Sequence, residues 1–487
     1  MVLDMGKMEN MSSPEFKRSF FCVATILMVF SSVSIYGQLK LPEWEVGLTS
    51  VGGVGDQAPF WIISNRQGKF LPEKYAGAME AGIFAERDTG KVFDYEYGIE
   101  VYGRAGAGSD AWLHQAYAGF IFKDMVRFRA GMWEEIVGSR QPSISTGSII
   151  WSGNARPMPK LEIGTPGYVP VPFLRGYAEV SGLMSHGWFE EGRYASDVWL
   201  HHKNFYVRVG GDLPVNLYYG FNHYAQWGGS SPRQEKPYPS DFKAFMKVFM
   251  IKHGDPEEPG TPDGWVLNRF GNHLGSRNYG IDVDLDNFSL GIYQQDVFED
   301  NSGYSRKNFP DGLWGAWFRL PDGERRVQAV VYEFLHTTHQ SGPYHDLDGV
   351  ELGGNDNYFN HGHYQSGWTY HKYTIGTPLI TSPLLNDPAS DRIRNNRVIA
   401  HHIGVEGYLS ANFRYRNFVT FTRNFGTFSH PFDERRDQWS WMAEVTAPVG
   451  LFGLEAGVTV AADLGSMYGD NLGIMFSVRK RGNFGKL

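Results

Sequence analysis

The chain has 487 residues, a net charge of −8, 15% aromatic residues and 59 glycines. No acidic or basic block divides it, and the negative balance excludes a nucleic-acid partner, which needs concentrated positive charge. Cys22 is the only cysteine and falls in the N-terminal leader, so the mature chain has no disulfide and no thiolate chemistry.

In chain order, Lys17 and Arg18 precede the apolar run 20–36. A charged n-region followed by an apolar h-region reads as a secretory signal peptide over residues 1–37, with 38–487 as a single domain. The run is shorter than the roughly 20 residues of a spanning helix, the alternative being an uncleaved anchor. After residue 40 no apolar run is long enough to span as a helix. Lipid offers no partners for backbone groups, so a mature chain in a membrane must be a closed barrel.

The rest reads as strand after strand with period-two alternation. Phe93, Tyr95, Tyr97, Ile99 and Val101 face one way, and Asp94, Glu96, Gly98 and Glu100 the other. Val126, Phe128, Ala130 and Met132 alternate with Arg127 and Arg129, and Phe452, Leu454, Ala456, Val458 and Val460 with Gly453, Glu455, Gly457 and Thr459. Strands are predicted at 44–50, 77–86, 93–104, 112–121, 125–133, 173–182, 198–208, 215–223, 278–286, 288–296, 312–319, 327–335, 368–375, 396–408, 411–423, 438–448, 452–461 and 471–479. Some connections are tight, as at Asp286-Asn287, and others are long, at 134–172, 224–277, 336–367 and 376–395. The fold class predicted is all-β: a transmembrane antiparallel β-barrel of about 18 strands, with short periplasmic turns and long extracellular loops. A soluble sandwich has the same alternation, but dense charges of both signs on the polar faces and aromatics near strand ends favour the barrel.

The loops are rich in Trp, Asn, His, Gln and Gly. Trp151-Ser152-Gly153-Asn154-Ala155-Arg156 and Asn222-His223-Tyr224-Ala225-Gln226-Trp227 are two such strings. Gly271-Asn272-His273-Leu274-Gly275, Phe298-Glu299-Asp300-Asn301 and Asp311-Gly312-Leu313-Trp314 follow, then His339-Gln340-Ser341, Asn357-Tyr358-Phe359-Asn360-His361 and Asn395-Asn396-Arg397-Val398. In this order the strings resemble the Wzi family of capsule assembly proteins, in the shorter branch seen in Bacteroides-like bacteria, over nearly the whole mature chain. The resemblance implies an eighteen-stranded barrel in the outer membrane of a Gram-negative bacterium. It also implies a lectin-like, non-catalytic role in attaching or organising capsular polysaccharide, with capsule export machinery as a further partner and no cofactor. The chain departs from better-known members in having only a short stretch between leader and first strand, and in ending on the basic tail 479–487.

Sugars present paired hydroxyls and apolar C–H faces, which suit planar amides, carboxylates, guanidinium forks and flat rings. Trp151, Asn154, Arg156, His223, Gln226, Trp227, Asn272, His273, Asp300, Trp314 and Gln340 are candidates for polysaccharide binding, or equally for a polar network that fixes the loops and plugs the barrel. No metal site is expected. Asp282, Asp284 and Asp286 lack the later residues of a calcium loop. The doublets His201-His202 and His401-His402 place adjacent rings on opposite strand faces. His361-Gly362-His363 is a weak metal candidate, and Ser341 with His345 and Asp346 matches no nucleophile elbow. Two alternatives remain: a porin or polysaccharide conduit, unless Asp94, Glu96 and Glu100 pair with Arg127 and Arg129 to fill the bore, and an enzyme using Glu299-Asp300 with Asp311.

Overall fold

The computed structural model describes residues 41–484 except 89, 139, 268, 345–353, 387–388 and 451. The leader 1–37 and the residues His345 and Asp346 lie outside the described residues. The first strands are β1 (Glu43–Val54), β2 (Ala76–Ala85), β3 (Phe93–Ala105), β4 (Ser109–Phe122), β5 (Val126–Met132), β6 (Lys160–Gly164) and the two-residue β7 (Val169–Pro170). Then come β8 (Ala178–Trp188), β9 (Trp199–Val209), β10 (Val215–Trp227), β11 (Asn272–Leu285), β12 (Phe288–Phe298), β13 (Gly312–Arg319) and β14 (Ala329–His336). After the minor pair β15 (Thr369–Tyr370) and β16 (Tyr373–Thr374), the wall resumes with β17 (Val398–Ser410), β18 (Phe413–Gly426), β19 (Pro431–Val449), β20 (Leu454–Gly465) and β21 (Asn471–Asn483).

Every wall strand pairs antiparallel with its neighbours, and β1 pairs with both β2 and β21, so the sheet closes. β6 and β7 lie along the same edge of β8 and act as one interrupted strand, which makes eighteen positions round the wall. Closure leaves no edge strand with unpaired backbone. The connections at one end are short, such as Asp286-Asn287 and the Lys123-Asp124 turn. Both residues of that turn have positive φ, as a two-residue hairpin turn needs. The long segments 55–75, 133–159, 228–271 and 337–397 all leave from the opposite end.

Alternation along the wall sorts side chains as expected. On β3, Ile99 and Val101 are exposed on the outside while Asp94, Glu96 and Glu100 are buried inside. Outside, Leu48 is 59% exposed, Ile292 57% and Leu472 50%, so the apolar rows of the wall face away from the bore. That is the arrangement lipid demands and the reverse of a sandwich. Inside, Arg129 pairs with Glu96 at 2.7 Å, but Arg127 pairs with Glu162 on β6 and Glu100 with Lys69.

Three strand expectations shift. The expected strand at 368–375 is no wall strand: it is the tight hairpin β15–β16, whose Trp368, Tyr370, Tyr373 and Ile375 are buried within the loop layer. Its alternation reflects packing against other loops. Its place in the wall is taken by β6, which had been read as loop; Leu161 and Ile163 point out, and Lys160 and Glu162 in. The strand expected at 173–182 runs instead over Ala178–Trp188. The basic residues Arg479 and Arg481 are not a loose tail but part of β21, ion-paired to Glu45 across the closing seam.

The bore is occupied by its own chain. Segment 138–149 crosses it and bonds to six strands. Arg140 pairs with Asp282 of β11, Gln141 Oε1 accepts from Arg319 of β13, and the Ser143 carbonyl accepts from Arg416 of β18 at 2.9 Å. The Ile144 carbonyl lies 2.9 Å from His402 Nε2 on β17, and Gln295 Oε1 on β12 accepts from the Ile149 amide at 2.8 Å. On β14 the buried Glu333 accepts from Ser145 Oγ at 2.6 Å, the Thr146 amide at 2.7 Å and Thr146 Oγ1 at 2.8 Å, and also from the Tyr293 hydroxyl. Gly404 has no side chain where the Ile144 carbonyl passes; a Cβ there would collide with it. Segment 60–70 adds α1 (Phe60–Ile63), with Trp61 Nε1 donating to Thr420 Oγ1 of β18 at 3.1 Å.

Candidate functional site

At the end of the barrel that carries the long loops, the chain leaves an open cavity of about 470 Å³. Its walls come from the 228–271 excursion, the turn after β12, the loop 354–365, residues 392–394 and the β18–β19 turn. Arg233, Arg269, Arg392 and Arg394 line it together with Glu299, Asp300 and Asp356. Planar amides from Asn357, Asn360 and Gln365, the rings of His361, His363 and His430, and the edge of the buried Trp265 side chain complete the lining.

Local bonds fix these groups. Asp300 precedes the one-turn helix Asn301–Tyr304 and accepts from the Ser302 amide at 2.7 Å. Ser302 Oγ reaches Asp356, and Ser341 Oγ donates to Asp356 Oδ2 at 2.5 Å, so two loops converge on one carboxyl. The Phe359 amide donates to Glu299 Oε1 at 2.8 Å. Asn360 exchanges bonds with residue 393 through both of its side-chain atoms, and Asn396 Nδ2 donates to Asn357 Oδ1 at 2.7 Å. Arg233 Nη1 donates to the Gly362 carbonyl at 2.9 Å, Arg269 Nη2 to Asn301 Oδ1 at 2.7 Å, and Arg392 to Gln365 Oε1.

Burial, reinforced by the nearby carboxyls of Asp356 and Asp300, holds Glu299 well above the usual carboxylate range. Burial and the neighbouring Asp300 push Asp356 up to about 7. Burial, with His363 beside it, lowers His361 to about 3, and burial also lowers His363, so both rings are neutral at physiological pH. Four guanidinium groups therefore face one acid, Glu299, that keeps its proton and another, Asp356, that titrates near neutral pH. Such a lining offers fork-like donors and planar amides to hydroxyls and carboxylates.

Of the eleven candidate residues, Asn272, His273 and Asp300 line this cavity. The others serve the scaffold. Trp151 is buried, stacked on His202 and Tyr224. Asn154 Nδ2 donates to Thr374 and Ser382, and Arg156 lies 3.7 Å over the Trp112 ring. Gln226 Nε2 donates to the Gly367 carbonyl and its Oε1 accepts from Asn272. Gln340 is fully buried and bonds Thr337 and Asn396. His223 and Trp227 lie on the outer face of β10, and Trp314 Nε1 donates to the Pro310 carbonyl. Glu299, His361 and His363 are named in the sequence for other chemistry, and the loop strings also hold Gly271, Asn357 and Asn360; Arg233, Arg269, Arg392, Arg394 and Asp356 are missed.

Asp311 does not join Glu299 and Asp300 as a carboxylate pair. It is buried and accepts from the His339 and Gln340 amides and the Tyr358 hydroxyl, with His336 at 2.7 Å. The doublets divide as strand geometry requires: His202 and His402 point into the bore, while His201 and His401 point out. Among the described residues, Glu100, His114 and Glu134 come close enough together to hold a metal ion. The Lys69 ammonium already sits there, 2.9 Å from Glu100 and 3.1 Å from Glu134.

Residues 70–379, well over half of the chain, match the family described as Capsule assembly protein Wzi. Among solved structures the fold is similar to Wzi of Escherichia coli, described as an outer-membrane protein involved in group 1 capsule assembly and a carbohydrate-binding β-barrel. The identity is 14%, covering 94% of this chain and 86% of that one, with a TM-score of 0.57. A BenF-like porin from Pseudomonas fluorescens (10% identity, 92% of this chain, 99% of that one, TM-score 0.47) is less alike. So is OpdQ of Pseudomonas aeruginosa (8% identity, 92% and 100% covered, TM-score 0.46), and neither informs function. No curated protein matches the sequence.

Proposed function

The chain belongs to the Wzi family of capsule assembly proteins, and we propose that it spans the outer membrane and binds capsular polysaccharide at the cell surface without catalysing a reaction. The observation that carries this reading is the cavity of about 470 Å³, open at the long-loop end of the barrel and lined by guanidinium, carboxyl and amide groups. The long loops leave one rim of the wall, while β1 begins and β21 ends at the other, which is how outer-membrane barrels place loops outside and termini in the periplasm. The exposed apolar rows supply the lipid-facing band. Export through the N-terminal leader belongs to the same reading.

A conduit for polymer is the weaker reading, because segment 138–149 is bonded across the bore to six strands. An enzyme is weaker too, since Asp311 is fully engaged away from the cavity. Capsule retention tests the proposal in the bacterium that makes the protein. Deleting the gene should shed capsule into the medium while polymer synthesis continues, and a chain carrying Arg392→Ala with Arg233→Ala should fail to restore retention. Full retention in the deletion strain overturns the proposal.

A further inference from the structure

The 228–271 excursion does not simply project from the rim: part of it folds back over the outside of the wall. Odd-numbered residues of β9 and β10 point outward, as the exposed Phe205, Val209, Leu217 and Tyr219 show. By the same parity His201, His223, Ala225 and Trp227 point outward, yet each is 2% exposed or less. What covers them includes the helix α2 (Phe242–Phe249), capped at its start by Asp241 Oδ1 accepting from the Ala244 amide. Phe245 and Phe249 pack against His201, and Phe245 against Trp227. The outward Lys203 donates to the Phe249 carbonyl at the helix C-terminus, where the macrodipole is negative.

Height decides what the helix meets. Lys203 lies six residues above Val209 on β9. At about 3.3 Å per residue and a tilt of about 40° that is roughly 15 Å of barrel height, inside an apolar band about 25 Å tall. Met184, opposite Lys203 on β8, and Ile163, opposite Met184 on β6, are exposed outward apolar residues. A bare lysine in that row would be costly against acyl chains, and the helix end screens it. The helix itself is two-faced. Ala244 and Val248 are buried, whereas Phe242 is 76% exposed, Met246 37% and Met250 54%, at a spacing of four that aligns them in one stripe. Lys243 is held above by Asp255 at 2.9 Å, and Lys247 by Glu258.

We infer that α2 lies in the head-group and acyl boundary of the outer leaflet, with Phe242, Met246 and Met250 in lipid, as an interfacial anchor continuous with the apolar band of the wall. The inference rests on the membrane-spanning reading above. The occupant is lipid because Phe245 and Phe249 seat the helix on the outer face of the wall, where Lys203 at its end stands opposite the exposed Met184, and because amphipathic helices with lysines beside an apolar edge favour that boundary.

Spin labelling tests it. The chain from Gln38 onward contains no cysteine, so single cysteines report without background. Phe242→Cys, Met246→Cys and Met250→Cys are labelled in the whole chain from Gln38 to Leu487, reconstituted into vesicles of phosphatidylcholine and phosphatidylglycerol. Ile292→Cys serves as the wall reference and Tyr344→Cys as the loop reference. The expected result is collision with molecular oxygen at the helix sites several-fold above collision with a water-soluble nickel chelate, as at Ile292→Cys and opposite to Tyr344→Cys. Helix sites that behave like Tyr344→Cys while Ile292→Cys stays shielded overturn the anchor alone. Nickel access at Ile292→Cys as well overturns the membrane reading beneath it.

Discussion

Replacing Glu333 by alanine should open the bore. Its carboxylate holds the crossing segment through the Ser145 hydroxyl, the Thr146 amide and hydroxyl, and also binds the Tyr293 hydroxyl. The serine and threonine hydroxyls can turn to other acceptors, whereas the Thr146 amide and the Tyr293 hydroxyl are fixed by backbone and ring. Each buried donor left without a partner costs about 1–3 kcal/mol, so the closed arrangement loses about 2–6 kcal/mol. At about 1.4 kcal/mol per tenfold, the open fraction rises by roughly one to four orders of magnitude. Glu333→Gln keeps an acceptor oxygen and should fall between. Gly404→Val attacks the same contact from the wall, because its side chain would collide with the Ile144 carbonyl. Planar-bilayer recordings read the outcome: a quiet wild type, with intermittent openings for Glu333→Ala and Gly404→Val. Large stable openings in the wild type, or two variants as silent as the wild type, refute the claim that this segment closes the bore.

Trp151→Ala should lower stability by about 3–5 kcal/mol, since the ring packs against the stacked pair His202 and Tyr224 and meets Trp368 edge-on. Thermal unfolding in detergent measures it, and an unchanged melting temperature contradicts the buried role. Asp356 is raised to about 7 in the folded loops against a usual value near 3.8. The folded state therefore binds the extra proton between those values. Loop stability is greatest at the acid end and falls as pH rises through about 7. Amide exchange around residues 300–304 and 354–357, corrected for intrinsic rate, should quicken from pH 5.5 to 8, and Asp356→Asn should flatten that rise. Ile292→Lys puts a charge on an outward site that is 57% exposed, and should cost about 2–4 kcal/mol on folding into vesicles; a smaller loss in detergent than in lipid is the signature.

Most of the wall could be read from the sequence because strand alternation is local. On β3 the residues Phe93 to Val101 announce which side each will face, and the bulge opposite Glu100 does not disturb it. β6 escaped because five residues between Pro159 and Thr165-Pro166-Gly167 are too few to show a period. The hairpin at 369–374 misled for the opposite reason: it is buried by partners far away in the chain, such as the Ile150 carbonyl, 218 residues from the Trp368 Nε1 that donates to it. The cavity was hardest to see. Arg233, Asp356 and Arg392 meet only after three loops have folded, and no spacing in the chain encodes that meeting. The strand expected at 215–223 ends on His223 and leaves Trp227 beyond it, but β10 runs on to Trp227 and places both on the covered outer face.

Direct binding of purified mature protein to capsular polysaccharide tests the central claim. Titration calorimetry with the capsule of the producing strain should show saturable binding for the wild type and at least a tenfold loss for Arg392→Ala with Arg233→Ala. Trp151→Ala, if folded, should keep its affinity. No binding by the wild type, or equal binding by the double arginine variant, contradicts a glycan site in the outer cavity.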